Sequence, residues 1–255
     1  MNPGIKCCLF LIPKSIYMRR DNFSLLNIPV IGVLSAILLV QCTSNEIANS
    51  KDVNPDKIYL SYSVSYAEGN TNADVYCQFR FGGKNGTTLV LTPPASIELD
   101  GEKLKADSNG TSGAYYRMYK PVNGFLGKHT LLYTDINKKQ LENEFSVTDF
   151  KLVNVPAETD RDKPLSIPFT TAALNPHDYI ELHSMNTDSS FHVTYEGTDT
   201  GNAIMIPVKE LKRQKNNTLT LETRLYREVP LAQLTGEGGS LRIDQSLRPV
   251  KIRLN

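Results

Sequence analysis

Ile58-Tyr59-Leu60-Ser61-Tyr62-Ser63-Val64-Ser65-Tyr66 is the stretch whose reading decides the fold. Ile58, Leu60, Tyr62, Val64 and Tyr66 fall on one side of an extended chain, and Tyr59, Ser61, Ser63 and Ser65 on the other. A strict period of two held this long predicts a half-buried β-strand. The next run repeats it, with Val75, Cys77, Phe79 and Phe81 inward and Tyr76, Gln78 and Arg80 outward. Cys77 thus sits in an apolar row and reads as a small buried hydrophobe rather than a reactive thiol.

Moving outward, Gly82-Gly83-Lys84-Asn85-Gly86 reads as a turn and Thr87–Leu91 as another strand. The glycines do not make a phosphate loop, because neither a helix start nor Gly-Lys-Ser/Thr follows them. Ile97 to Leu104 reads as a tight hairpin about Asp100-Gly101. Ala106 to Gly113 reads as a polar loop, and its Gly110-Thr111-Ser112-Gly113 lacks the spacing of the hydrolase elbow. Strands follow at 115–120, 129–134 and 141–147. Beyond Phe150 short strands are predicted at 150–155, 165–169, 179–183, 191–195, 203–206, 219–226, 241–243 and 250–254. Pro207 to Arg213 reads as one helical turn, with proline at its start and basic residues at its end. The expectation is an all-β chain of two tandem immunoglobulin-like antiparallel sandwiches, residues 57–149 and 150–255. One continuous larger sandwich is the alternative. There is no Trp, and no cysteine pair is left to stand in for the hallmarks of antibody domains.

Towards the N-terminus, Arg19-Arg20 precede the apolar run Leu25–Val40, which stops at Gln41-Cys42. A positive segment, an apolar segment and a processing residue are the parts of an export signal. The run is shorter than the roughly 20 residues a spanning helix needs, and Pro29 and Gly32 interrupt it. Residues 1–41 are therefore expected to be a signal peptide, with Met18 the working start. Residues 42–56 are expected to be a lipidated flexible tether, being polar and rich in Asn and Ser. The signal carries four of the 28 basic residues and one of the 27 acidic ones, so the remainder is slightly acidic. Nothing in that balance steers the chain to nucleic acid.

Leu39-Val40-Gln41-Cys42 resembles a bacterial lipobox, departing from it at Gln41, where a small residue is usual. With the turn Phe79–Leu89, the hairpin Ile97–Gly101 and Gly238-Gly239-Ser240-Leu241-Arg242-Ile243, the chain resembles Bacteroidota cell-envelope lipoproteins with tandem immunoglobulin-like domains. The resemblance implies acylation of Cys42, anchorage in the lipid bilayer, and a place in the outer membrane or at the cell surface. It brings no catalytic residue and no cofactor.

Function is read from fewer residues. In Ala114–Lys120, Tyr115, Arg117 and Tyr119 share one face and Tyr116 and Met118 the other. Two tyrosines flanking an arginine suit a sugar or a protein partner; half-buried tyrosines of an ordinary sandwich are the alternative. His183 and His192 bracket Asp188, and a hairpin would set them opposite each other as weak metal candidates. Glu158, Asp160 and Asp162 alternate like calcium ligands but lack the later glycine and glutamate of an EF-hand. No catalytic constellation stands out. The first expectation is a membrane-anchored structural or protein-binding module, not an enzyme. The alternatives are a glycan-binding accessory protein using Tyr115 and Tyr119, and an envelope enzyme.

Overall fold

The structure, a computed structural model, describes residues 46–187 and 189–255. The expected signal peptide, the Met18 start, Cys42 and Asp188 lie outside the described residues. The described residues belong to one compact unit, and it is all-β. The first half holds β1 (Ile47–Asn49), β2 (Ile58–Ala67), β3 (Asn72–Phe81), β4 (Thr87–Val90), β5 (Ser96–Leu99), β6 (Glu102–Lys103), β7 (Lys105–Asn109), β8 (Gly113–Pro121), β9 (Gly127–Thr134) and β10 (Gln140–Val147). The second holds β11 (Lys151–Leu152), β12 (Glu158–Thr159), β13 (Leu165–Thr170), β14 (Tyr179–Ser184), β15 (His192–Glu196) and β16 (Ala203–Ile206). The helical turn α1 (Val208–Lys212) follows, then β17 (Thr218–Val229), β18 (Gly239–Ser246) and β19 (Val250–Leu254).

One 12-stranded sheet runs through both halves in the order β1-β4-β3-β2-β18-β17-β14-β15, with β7-β8 beside β3 and β12-β19 beside β17. Alternation builds it. The inward residues of β2, Ile58, Leu60, Tyr62 and Val64, are buried, as are Val75, Cys77 and Phe79 of β3. Phe81, expected inward, is exposed at the end of its strand. Two smaller sheets, β10-β9-β5-β6 and β11-β13-β16, close over the large one and enclose a core each.

The expected boundary at 149/150 does not separate the two cores. β18 lies in the second half of the sequence, yet it pairs in parallel with β2, from Gly239↔Leu60 to Ser246↔Ala67. Its Leu241 and Ile243 belong to the first core. The long strand β17 then joins the cores, since Arg224–Val229 pair with β18 and Thr218–Leu221 with β19.

The expected tether is also shorter than 42–56. β1 pairs in parallel with β4, Thr88 donates its backbone N–H to the Glu46 carbonyl, and Ser50 is buried with its hydroxyl accepting from Thr92 N. A short polar segment can dock this way because its backbone completes an otherwise open sheet edge. Likewise Ala106–Asn109, the first part of the expected loop Ala106–Gly113, lies in the exposed edge strand β7 beside β8.

At the junction, Arg227 and Asp178 form an ion pair with both side chains almost wholly buried. Arg227 also donates to Thr148 Oγ1 and to the Ala173 carbonyl. The second oxygen of Asp178 accepts from Glu228 N. Gln245 donates to the Thr148 carbonyl, so Thr148 ties the end of the first half to β17 and β18.

Candidate binding face

The large sheet has one face on the two cores and one turned outward, and strand registry fixes what the outer face carries. Reading directly across the strands, one row runs Glu196 (β15), Tyr179 (β14), Tyr226 (β17), Asp244 (β18), Ser65 (β2), Asp74 (β3), Tyr119 (β8). The next outward row runs Glu228, Arg242, Ser63, Tyr76, Arg117, Lys105. All have the opposite strand parity to the buried residues Ile180, Leu225, Ile243, Val64, Val75 and Met118.

The face has a profile. On one side Tyr179 and Tyr226 stack, ring centroids 4.7 Å apart. On the other, Tyr76 stacks on Tyr115 at 5.0 Å. Between them β2 and β18 present Ser61, Ser63, Ser65 and Ser240 with Arg242 and Asp244. Two tall aromatic banks therefore flank a low floor. Among the described residues, none of those four serine hydroxyls forms a hydrogen bond within the protein.

The tyrosines singled out from sequence lie on this face but differ in state. Tyr115 is 7% exposed, and its hydroxyl donates to Asp107 Oδ2 at 3.0 Å. Arg117 is fixed by two bonds to Asp74, Nε to Oδ1 at 2.8 Å and Nη2 to Oδ2 at 2.5 Å. Those bonds hold its guanidinium charge firmly on, and its carbon Cζ lies 4.8 Å from the Tyr119 ring centre. Tyr119 is 57% exposed. It offers a ring backed by a cation, whereas Tyr115 is packed against Tyr76.

Tyr179, Tyr226 and Asp244 were missed in the sequence. Their strand parity was legible, but their neighbours depend on β18 pairing with β2, which no local pattern encodes. Asp244 is half-buried, and burial pushes its carboxyl above the ordinary value despite Arg224 and Arg242 nearby. Among the described residues it makes no hydrogen bond or ion pair.

Beside Tyr226 the face dips into a cleft of about 350 Å³ lined by Glu181, His183, His192, Glu222, Arg224 and Tyr226. The hairpin places His183 directly opposite His192, with Glu222 on the other side of His183. Glu222 is held by Arg224, whose Nε and Nη2 donate to Oε1 at 3.1 and 2.8 Å. No group of three metal-ligating side chains is assembled among the described residues. The acidic triplet Glu158, Asp160 and Asp162 is dispersed, each carboxylate meeting its own cation: Arg253, Lys163 and Lys212 respectively. The Cys77 thiol is wholly buried, and burial pushes its ionisation well up.

No protein-family model matches the chain, and no curated protein matches it. Among solved structures it is similar to the Bacteroides ovatus mixed-linkage glucan utilization locus SGBP-B in complex with a mixed-linkage heptasaccharide. The identity is 10% and the TM-score 0.24, over 72% of this chain and 53% of that one. The chain thus spans about half the length of that protein, and a likeness at this level carries no argument.

Proposed function

We propose that the chain is a non-catalytic, envelope-anchored module of two immunoglobulin-like sandwiches that binds a glycan on the outer face of its large sheet. The observation that carries this reading is the face itself: stacked tyrosines beside unpaired hydroxyls and an unpaired half-buried carboxylate. Sugars offer apolar C–H faces for the rings and hydroxyls for the polar groups. A protein partner would call for a contiguous apolar patch. Besides Tyr119, the exposed large apolar residues Ile47, Phe81, Leu126, Met185, Met205 and Leu234 are instead spread over separate elements. Charges of both signs are interleaved on the face and partly paired, which suits an uncharged ligand better than a polyanion.

In this reading Cys42 carries the acyl anchor after export, at the outer membrane or cell surface. With β1 docked on the sheet, only Thr43-Ser44-Asn45 separate that anchor from the fold, a reach of roughly 14 Å from Cys42 to Glu46. The module then works close to the lipid surface.

The test is retention of the purified protein in gels containing soluble neutral polysaccharides (β-glucan, α-glucan, xylan, mannan, galactan), with polygalacturonate as the charged control. Retention by a neutral polysaccharide that is lost with Tyr119→Ala or Tyr226→Ala supports the reading. Failure of the whole panel, or retention that neither substitution changes, contradicts it.

A further inference from the structure

Resting on that reading, we infer that the ligand is an extended oligosaccharide lying across the strands, from Tyr226 over Asp244, Ser65 and Asp74 to Tyr119. These five residues occupy one registered row on five consecutive strands, β17, β18, β2, β3 and β8. At the usual spacing of about 4.8 Å between strands the row is roughly 19 Å long. A single sugar cannot touch both end tyrosines, but a short chain can.

The chemistry along the row favours that direction. The two ends are aromatic, and both rings are braced: Tyr226 by stacking on Tyr179, and Tyr119 by the guanidinium of Arg117, itself locked to Asp74. Rigid rings cost little entropy to engage. The middle of the row is low and polar. Ser65 is exposed, and Asp244 has four lone-pair sites with no donor from the protein, the signature of an acceptor completed by a ligand or water. A chain laid along β2 and β18 instead would meet serines, Arg242 and Asp244 but neither end tyrosine. The crosswise path alone uses the aromatic groups and the unpaired acceptor together.

The test is an affinity ladder by calorimetry, using linear oligosaccharides of two to six residues cut from whichever neutral polysaccharide is retained. Affinity rises with length and levels off once the chain spans the row. Tyr119→Ala and Tyr226→Ala each weaken the hexasaccharide by roughly five- to tenfold, the worth of one aromatic contact. The disaccharide, reaching only one end, loses affinity with at most one of them. Asp244→Asn weakens the long ligands without lowering the unfolding midpoint, which separates a binding role from a structural one. A disaccharide bound as tightly as the hexasaccharide overturns the crosswise chain while leaving glycan binding intact. So does a hexasaccharide indifferent to either tyrosine. If no polysaccharide is retained at all, both readings fall.

Discussion

Asp244 pairs a stability cost with a half-buried position that water still reaches, so its protonation is measurable. Its carboxyl ordinarily titrates near 3.8, and burial raises that value in the fold. The folded chain therefore holds the proton more tightly than the unfolded chain does. Around and below pH 3.8 the neutral group costs little; as pH rises through the raised value, stability is lost. Asp244→Asn should raise the urea midpoint at pH 7, with the gain shrinking as pH falls towards 4. A midpoint unchanged at pH 7 would contradict the burial argument. Asp100-Gly101 is the residue-scale counterpart for the fold. The pair forms the two-residue turn between Leu99 and Glu102, with φ of 51° and 82°, as its sequence predicts. Nothing lies within 4 Å of a Cβ built on Gly101. Gly101→Val should then cost about 1–3 kcal/mol through backbone strain alone, read as a lower denaturation midpoint. Asp100 does more than tolerate the turn. Its Oδ1 accepts from Thr130 N and its Oδ2 meets His129 Nδ1, each at 2.8 Å.

At the scale of elements, alternation told which side of β2 and β3 is buried, and that reading is observed from Ile58 to Val64 and from Val75 to Phe79, with Gln78 buried as well and Phe81 exposed. It also put Tyr115, Arg117 and Tyr119 on a common face. Alternation carries no information about which strand lies beside which, because a strand's parity is the same whoever its partner is. The parallel pairing of β18 with β2 joins segments some 180 residues apart, and nothing in Gly238–Ile243 announces it. The remainder of the face was hidden for the same reason: Tyr226 and Asp244 become neighbours of Ser65 only through that pairing. Edge strands escaped by a different route. β1 is only three residues long and β7 is polar and exposed, so neither shows an apolar period. Leu241 of β18 is wholly buried in the first core. Leu241→Ala should lower the stability of the protein by about 2–5 kcal/mol. A substitution there that costs nothing would mean β18 does not pack where it is placed.

For the whole molecule, the interleaving of β18 and β17 changes what the two halves can do separately. Residues 57–149 expressed alone would lack β18 and leave the β2 edge and the apolar gap of Leu241 and Ile243 open to water. The fragment is expected to aggregate or stay unfolded, judged by its circular dichroism and amide shift dispersion. A well-dispersed, cooperatively unfolding fragment would restore the simpler partition at 149/150. The buried Arg227–Asp178 pair and its bond to Thr148 point the same way, since cutting the chain at 149/150 separates Thr148 from Arg227. For the proposed binding face this continuity matters too, because a sheet unbroken across both cores holds Tyr226 and Tyr119 at a fixed separation.

The most direct measurement is a crystal structure of the protein with a retained linear hexasaccharide. The sugar chain is predicted to cross β17, β18, β2, β3 and β8 on the outer face, with rings on Tyr226 and Tyr119 and a hydroxyl donating to Asp244. Sugar bound at the loops beyond the strand ends, or on the β10-β9-β5-β6 sheet, with the outer face bare, would contradict the account.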